Sequence, residues 1–120
     1  MIGVDLVSIS RIEKMIERFG DKALKKYLSQ SEIDLIKSAK TAAGFWAVKE
    51  AVSKSLGCGI SSELGFMDIR ISKTLKNAPL VTLSDKAKQH HNVSHIAISI
   101  THDEGLAIAV AFTTFVGSGS

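Results

Sequence analysis

Two carboxylates stand in stretches of the sequence that are otherwise apolar. Asp5 follows Ile2-Gly3-Val4, and Glu50 lies in the run 47–52. A buried carboxylate without a partner is costly or is forced to protonate, and a divalent cation shared by Asp5 and Glu50 would satisfy both. Two carboxylates, completed by waters and phosphate oxygens, can hold Mg²⁺. The alternative is an ion pair between Glu50 and Lys54, one helical turn apart, with Asp5 accepting backbone donors at a strand end. The residues alone leave both open.

Positive charges accompany Glu50 along the same segment. Lys49 and Lys54 lie near it, and the neighbouring positions are small or apolar. A lysine beside metal-binding carboxylates can hold a phosphate group as a point charge. We therefore predict a charged cluster of Lys49, Glu50 and Lys54 that could serve phosphate chemistry, with a solvated helix face as the alternative.

Hydroxyls and an imidazole end one of the apolar runs in the second half of the chain. In Ser99-Ile100-Thr101-His102 the two hydroxyls fall on the same side of a predicted strand, and His102 falls at the turn. Such groups can bind phosphate oxygens or transfer a proton. An exposed turn histidine without a function is the alternative.

Basic residues also form a regular pattern near the N-terminus. Arg11, Lys14 and Arg18 follow i, i+3, i+7 spacing, which places them in a positive stripe along a predicted helix. The stripe fits an acidic protein partner or a nucleic-acid backbone. The chain has five Phe, one Trp and one Tyr, mostly at core-like positions, so aromatic residues for base stacking are missing. We therefore predict an acidic partner and no nucleic acid.

The composition bounds the class of protein. The chain has 120 residues, 45% of them hydrophobic and 22% charged, with a formal net charge of +3, as is typical of one globular domain. No apolar run approaches the ~18 residues of a membrane span, and the single cysteine, Cys58, allows no internal disulfide. We expect a cytoplasmic protein that binds no membrane, with one domain over 1–115 and a disordered or linker-like tail over 116–120.

Helices and strands must position these candidate residues. The patterns predict strands over 2–7, 66–71, 80–83, 95–101 and 106–112. They also predict a first helix that Ser8 or Ser10 caps and Gly20 ends, a short helix opened by a Ser29 and Glu32 capping box, and a central helix from Thr41 to Gly57. The turn 102–105 should join the last two strands as an antiparallel hairpin. The predicted fold class is α+β, with helices packed on one face of a small, mainly antiparallel sheet.

Four blocks of the sequence carry a resemblance to a known family. They are Gly3-Val4-Asp5-Leu6, the segment Phe45-Trp46-Ala47-Val48-Lys49-Glu50 with its continuation to Gly57, the Asn77-Ala78-Pro79 turn, and Ser99-Ile100-Thr101-His102. In order and spacing they resemble the holo-acyl-carrier-protein synthases, the short phosphopantetheinyl transferases. The resemblance extends from Ile2 to Phe112.

This resemblance implies an enzyme that transfers the 4'-phosphopantetheine group of coenzyme A to a serine of apo acyl carrier protein. Adenosine 3',5'-bisphosphate would be released, and the reaction would serve fatty acid biosynthesis. The resemblance implies that Asp5 and Glu50 hold Mg²⁺, that one of them deprotonates the serine, and that Lys54 adds a second positive charge. The residues assigned to coenzyme A are Lys49, Lys54, Asn77, Pro79, Ser99, Thr101 and His102.

The resemblance also implies an assembly and a partner. Members of the family are similar in forming homotrimers with active sites at subunit boundaries. Acyl carrier proteins are strongly acidic, so the stripe of Arg11, Lys14 and Arg18 gains a docking partner. The sequence departs from the family at Phe45, where a basic residue is usual, and we predict that Lys40 or Lys49 replaces that charge.

The alternative function is a metal-dependent nuclease or phosphodiesterase of the ribonuclease-H-like type. A Gly-Val-Asp strand also opens some of those folds, which makes the N-terminal block compatible with them. Such enzymes need more than two clustered carboxylates, so Asp68 and Asp103 would have to join Asp5 and Glu50. The predicted hairpin topology argues against this alternative.

Overall fold

The computed structural model describes residues 1–117, so positions 118–120 of the predicted tail lie outside the described residues. The strands are β1 (Ile2–Ser8), β2 (Ile69–Lys73), β3 (Pro79–Leu83), β4 (Val93–Asp103) and β5 (Leu106–Phe115). The helices are α1 (Ile9–Phe19), α2 (Asp21–Lys25), α3 (Gln30–Ile33), α4 (Ala39–Ser55) and α5 (Asp85–His91), and a 3-10 turn spans Phe66–Asp68. Within residues 1–117 we find no helix that combines the length and the apolar character needed to cross a membrane. The domain limits at 1–115 stay a prediction.

The strands form two antiparallel sheets, which confirms the predicted α+β class. One sheet has the order β1-β5-β4, and the other pairs β2 with β3. The predicted hairpin between β4 and β5 is confirmed, with Asp103 opposite Leu106 across a two-residue turn. Both turn residues, Glu104 and Gly105, have positive φ angles, 51° and 75°, which is the backbone geometry that a tight hairpin turn requires.

The first helix begins and ends at the predicted residues. The Ser8 hydroxyl accepts a hydrogen bond from the Arg11 amide at 3.3 Å, and Gly20 ends the helix with a φ of 59°. Because the chain turns at Gly20, α2 is a separate helix. The positive stripe therefore stays confined to α1.

The central helix α4 begins earlier than the predicted cap at Thr41. Its N-cap is Ser38, whose carbonyl accepts the first helical hydrogen bond from the Ala42 amide at 3.1 Å. The predicted capping box of α3, between Ser29 and Glu32, is confirmed. Glu32 also forms a buried ion pair with Lys49, which the spacing of the capping box does not reveal.

Helix α4 lies directly on the inner face of β1. A Cβ atom added at Gly3 would collide with the Ala51 carbonyl oxygen and would lie 2.6 Å from the Ser55 amide nitrogen. Only glycine therefore allows the strand to approach the helix this closely. Val7, on the same face of β1, is 2% exposed and belongs to the core. Asp5 lies between Gly3 and Val7 on this face, which directs its carboxylate toward α4.

The opposite face of the same sheet is apolar and exposed. We call it the outer apolar face, and it consists of Ile2, Val4, Leu6, Val110 and Phe112, between 38% and 67% exposed. Strand register joins these side chains, since Ile2 pairs with Phe112 and Val4 pairs with Val110. Scattered apolar residues on a surface are ordinary, but a contiguous set of this kind is typical of an interaction surface.

Candidate active site

A salt bridge between β1 and α4 forms the centre of the candidate site. The Lys54 ammonium donates to the Asp5 carboxylate at 2.8 Å and to the Val4 carbonyl at 3.4 Å. The Lys54 side chain is 51% exposed, whereas that of Asp5 is 13% exposed. Asp5 is therefore held by a lysine at the rim of the site. The alternative in which Lys54 forms its ion pair with Glu50 along the helix is not what the structure shows, since the partner of Lys54 is Asp5.

Glu50 completes the group from the same side of α4. Its pKa is raised, first by burial and second by the negative charge of Asp5, while Lys54 and Arg11 act in the opposite direction. The pKa of Lys54 is raised chiefly by its hydrogen bond to Asp5. Two carboxylates thus stand close enough to repel each other, and Lys54 is hydrogen-bonded to one of them, Asp5. We call Asp5, Glu50 and Lys54 the acidic pair with its lysine.

This donor set fits a divalent cation. Asp5 and Glu50 supply carboxylate oxygens, and a cation between them would relieve the repulsion that, after burial, raises the pKa of Glu50. In the described part of the chain no group of three or more His, Cys, Asp or Glu residues could bind a metal. The remaining ligands would be waters or oxygens of a substrate, as Mg²⁺ prefers.

The carboxylates needed for the nuclease alternative lie elsewhere. Asp68 accepts hydrogen bonds from the Gly65 amide at 2.9 Å and from the Ser84 hydroxyl at 2.7 Å. These bonds, with that of Ser84 first, lower the pKa of Asp68. Asp103 lies at the β4–β5 turn. Over residues 1–117 these acids do not gather with the acidic pair, so the nuclease alternative is not favoured.

Lys49 corrects the predicted charged cluster. Its ammonium is buried and donates to the Tyr27 carbonyl at 2.7 Å, to the Glu32 carboxylate at 2.9 Å and to the Phe66 carbonyl at 3.0 Å. An ammonium has three hydrogens, and all of them are used here within the protein. Lys49 is therefore not free to contact coenzyme A, nor to replace the charge missing at Phe45. Adjacent helical residues point about 100° apart, so Glu50 can face the site while its neighbour Lys49 is buried on another side of α4.

Glu32 is the buried partner of that lysine. It is 2% exposed, and one carboxylate oxygen accepts from the Ser29 amide at 2.8 Å as well as from Lys49. The other oxygen accepts from the Ile71 amide on β2 at 2.8 Å. The Glu32–Lys49 pair therefore ties α3 and α4 to the smaller sheet. Burial lowers the pKa of Lys49, and the hydrogen bond and charge of Glu32 oppose that shift.

The predicted coenzyme A contacts fall into separate places. His102 and Pro79 line a cavity of about 190 Å³ beside the N-terminal half of α4. Asn77 lines a second cavity of about 310 Å³ that shares Thr41 with the first. The His102 ring nitrogen Nε2 lies 3.2 Å from the Lys40 carbonyl oxygen. These residues do come together, around the first turns of α4.

Ser99 and Thr101 lie apart from His102. They are exposed and pair with Val110 and Ile108 in the ladder, so their side chains share the outer face of the sheet. His102 stands on the inner face with Ile100. The prediction that two hydroxyls share one side of the strand is confirmed, but the imidazole is on the other side.

Helix α4 also separates His102 from the acidic pair. A Cβ atom at Gly44 would lie 3.4 Å from the His102 ring, which marks where the ring meets the helix. Gly44 precedes Glu50 by six residues, which is about 9 Å along the axis and a third of a turn around it. One chain thus presents two half-sites on different sides of one helix.

The positive stripe reaches the acidic pair at one end. Arg11, Lys14 and Arg18 are all exposed on α1. The Arg11 guanidinium lies 5.6 Å from the centroid of the Trp46 ring, and its charge favours ionised Glu50. The sequence did not indicate that Arg11 borders the site, because the contact depends on how α1 crosses α4. Docking of a partner on the stripe stays a prediction.

Comparison with known proteins decides the family. The model of the 4'-phosphopantetheinyl transferase superfamily matches residues 1–111. The chain belongs to this superfamily. It is 54% identical over 110 residues to the holo-[acyl-carrier-protein] synthase of Sulfurimonas denitrificans, an alignment that covers 92% of this chain and 91% of the relative. It is 56% identical over 109 residues to the synthase of Nautilia profundicola, covering 91% and 95%.

Solved structures agree with this assignment to the transferases. The holo-[acyl-carrier-protein] synthase of Helicobacter pylori, solved in complex with coenzyme A, matches with a TM-score of 0.92 and 51% identity, over 95% of this chain and 100% of that one. The prediction of an enzyme of the phosphopantetheinyl transferase kind is confirmed. Within this transferase, Lys73 is a candidate that the sequence did not single out. It lines both cavities beside α4, and no local pattern could have revealed that contact.

Proposed function

We propose that this transferase moves the 4'-phosphopantetheine group of coenzyme A onto a serine of an apo acyl carrier protein and releases adenosine 3',5'-bisphosphate. The observation that carries the proposal is the placement of Asp5, Lys54 and Glu50 between β1 and α4, with a salt bridge of 2.8 Å. The named relatives and the coenzyme A complex of the Helicobacter pylori synthase support the same substrates. We also propose that this reaction serves fatty acid biosynthesis.

Asp5 and Glu50 are the residues that would hold Mg²⁺. When bound, the cation polarises the diphosphate and neutralises charge on the leaving phosphate. Lys54 places a second positive charge beside the same oxygens, from a side chain that is half exposed and anchored by Asp5. Phosphoryl transfer depends mainly on positioning and charge neutralisation, and these three side chains supply both.

The serine hydroxyl must lose a proton as its oxygen bonds to phosphorus. The bond that breaks joins this phosphorus to the bridging oxygen of the diphosphate, and the bisphosphate leaves with that electron pair. A carboxylate oxygen of Asp5 or Glu50 accepts the proton.

A homotrimer would bring the two half-sites together. The outer apolar face leaves Val4 52% and Leu6 58% exposed, and covering such a surface with another copy of the chain is favourable. The half-site of His102 and the half-site of Glu50 lie on different sides of α4. We propose that one subunit contributes the first and its neighbour the second, with Ser99 and Thr101 close to the boundary.

The carrier protein would dock on α1. Arg11 lies close enough to Glu50 for its positive charge to favour the ionised carboxylate. A partner held on the stripe of Arg11, Lys14 and Arg18 would therefore present its serine at the acidic pair. Charges at an exposed rim act mainly on the association rate. We also propose a cytoplasmic location, as predicted from the sequence.

Mass spectrometry of a carrier protein tests the proposal. The enzyme is incubated with coenzyme A, Mg²⁺ and an apo acyl carrier protein. We expect the carrier to gain the mass of one phosphopantetheine group and adenosine 3',5'-bisphosphate to accumulate in equal amount. A carrier whose serine is replaced by alanine is the matched control. If the folded enzyme left the mass of several different apo carrier proteins unchanged, the proposal would be refuted.

A further inference from the structure

A half-buried tryptophan lies on the side of α4 that also carries Glu50. Trp46 precedes Glu50 by about one helical turn. Its ring meets the Tyr27 ring at an angle of 77°, with 4.9 Å between the two centroids, and its centroid lies 5.3 Å from that of Phe66. The Tyr27 hydroxyl donates to the Ala42 carbonyl at 2.9 Å, which fixes Tyr27 as well. The surrounding rings therefore hold Trp46 in one orientation.

The Arg11 guanidinium lies over this fixed ring. Its Cζ atom is 5.6 Å from the centroid of the Trp46 ring, which is within the range of a cation–π contact. Arg11 is exposed, and among residues 1–117 no carboxylate lies within 4.0 Å of its guanidinium. The aromatic ring thus orients the cation but uses none of its N–H donors. Those donors stay available for an anion that comes from outside the chain.

The other two cations of the positive stripe are held less firmly than Arg11. The Arg18 guanidinium lies 5.1 Å from the centroid of the Phe19 ring, but that ring is 47% exposed. Lys26 lies over the same ring at 5.6 Å. Within residues 1–117, Lys14 contacts no aromatic ring and no carboxylate. Of the three cations in the stripe, Arg11 is therefore the one that rests on a half-buried ring.

A cation that is already oriented loses less conformational entropy when it binds an anion than a cation that moves freely. In the proposed function the stripe docks an acidic carrier protein, and this step rests on that docking. We infer that Trp46 is a positioning residue for the carrier protein, because it holds the Arg11 guanidinium where an acidic side chain of the carrier meets it. Trp46 therefore contributes to docking through Arg11 and not through a contact of its own with the carrier.

A double-mutant cycle of Trp46 and Arg11 tests this inference. Loss of an exposed cation–π contact corresponds to about a threefold change in binding. Trp46→Leu should therefore raise the KM for apo carrier protein about threefold and leave the KM for coenzyme A unchanged. Trp46→Phe keeps an aromatic face under the guanidinium and is the matched control, with both KM values close to wild type. In an Arg11→Gln background, Trp46→Leu should have no further effect on the KM for the carrier.

Fluorescence quenching tests the Arg11–Trp46 contact without the reaction. Trp46 is the single tryptophan of the chain, so its emission reports on this contact alone. Arg11→Gln uncovers one face of the ring, and acrylamide should then quench Trp46 more strongly than in the wild type. Lys14→Gln changes the charge of the same helix without touching a ring and should quench as the wild type does.

Three results would overturn the inference. They are equal quenching of Arg11→Gln and wild type, an unchanged carrier KM in Trp46→Leu or an equal rise for both substrates, and a further rise of the carrier KM when Trp46→Leu is added to Arg11→Gln. The last result would mean that Trp46 contacts the carrier itself. A wild-type enzyme that modifies no carrier would instead refute the proposed function, and the quenching experiment does not depend on that activity.

Discussion

Replacing Lys49 by methionine tests whether the Glu32–Lys49 pair holds the two sheets together. The change keeps the length of the side chain but removes the ammonium, so the Glu32 carboxylate, 2% exposed, stays buried without a positive partner. Breaking a buried pair at one end costs about 3–5 kcal/mol. Glu32 keeps its bonds from the amides of Ser29 and Ile71, each 2.8 Å long. We therefore expect a loss of about 3 kcal/mol in the free energy of unfolding, or about 12 °C in Tm for a chain of this size.

Urea unfolding followed by circular dichroism measures this loss. Glu32→Gln combined with Lys49→Met removes the unpaired charge but keeps an acceptor oxygen, so the double variant should recover more than half of the stability that Lys49→Met loses. Lys88→Met on α5, an exposed lysine, is the control for the substitution itself and should be close to neutral. A loss below about 1 kcal/mol for Lys49→Met, or no recovery in the double variant, would show that the buried charge argument is wrong.

Three further changes test the active site and the docking surface. Asp5→Ala should abolish Mg²⁺-dependent transfer because half of the metal-binding carboxylates are gone, and near-normal turnover would contradict the metal assignment. Glu50 has a raised pKa in the folded state, so the metal-free protein should lose stability as pH rises from the ordinary carboxyl value of 4.5 through the raised pKa. Thermal unfolding of Glu50→Gln should lack this loss of stability with rising pH. If the variant had the same pH profile as the wild type, Glu50 would not be the cause of the loss. Reversing Arg11 and Arg18 to Glu should raise the KM for the carrier protein, with little effect on that for coenzyme A, and the wild-type KM should rise with added salt. Equal effects on both substrates would place these arginines in the fold or the catalytic site.

Local patterns predicted the elements that local interactions determine. The cap of α1, predicted at Ser8 or Ser10 and found at Ser8, the glycine that ends α1 and the hairpin turn at Glu104-Gly105 each depend on a few neighbouring residues, and these predictions were confirmed. Alternation along β1 puts Asp5 on the face opposite Ile2, Val4 and Leu6. It could not show which face would be buried, because that depends on the close contact between Gly3 and α4. The apolar side of this strand is the exposed one.

The site was predictable in part for the same reason. Asp5 and Glu50 could be paired because a carboxylate in an apolar element needs a partner, whereas the bond between Lys54 and Asp5 joins residues 49 positions apart. Lys49 and Glu50 are adjacent, and the sequence could not show that one points to Glu32 and the other to Asp5. The two cavities that Lys73 lines form only where β2 meets α4, so no spacing in the sequence could reveal them.

The two-stranded sheet of β2 and β3 would be marginal by itself, and the Ile71 amide in its first strand is bonded to the Glu32 carboxylate. That amide can exchange with deuterium only when the Glu32 carboxylate leaves, which requires α3 and α4 to separate from the sheet. Its exchange rate should therefore follow opening of the whole molecule rather than fraying of the hairpin. Amides at the β2–β3 turn, such as that of Lys76, have no such attachment and should exchange early. A single backbone hydrogen thus reports on the contact between the smaller sheet and helices α3 and α4.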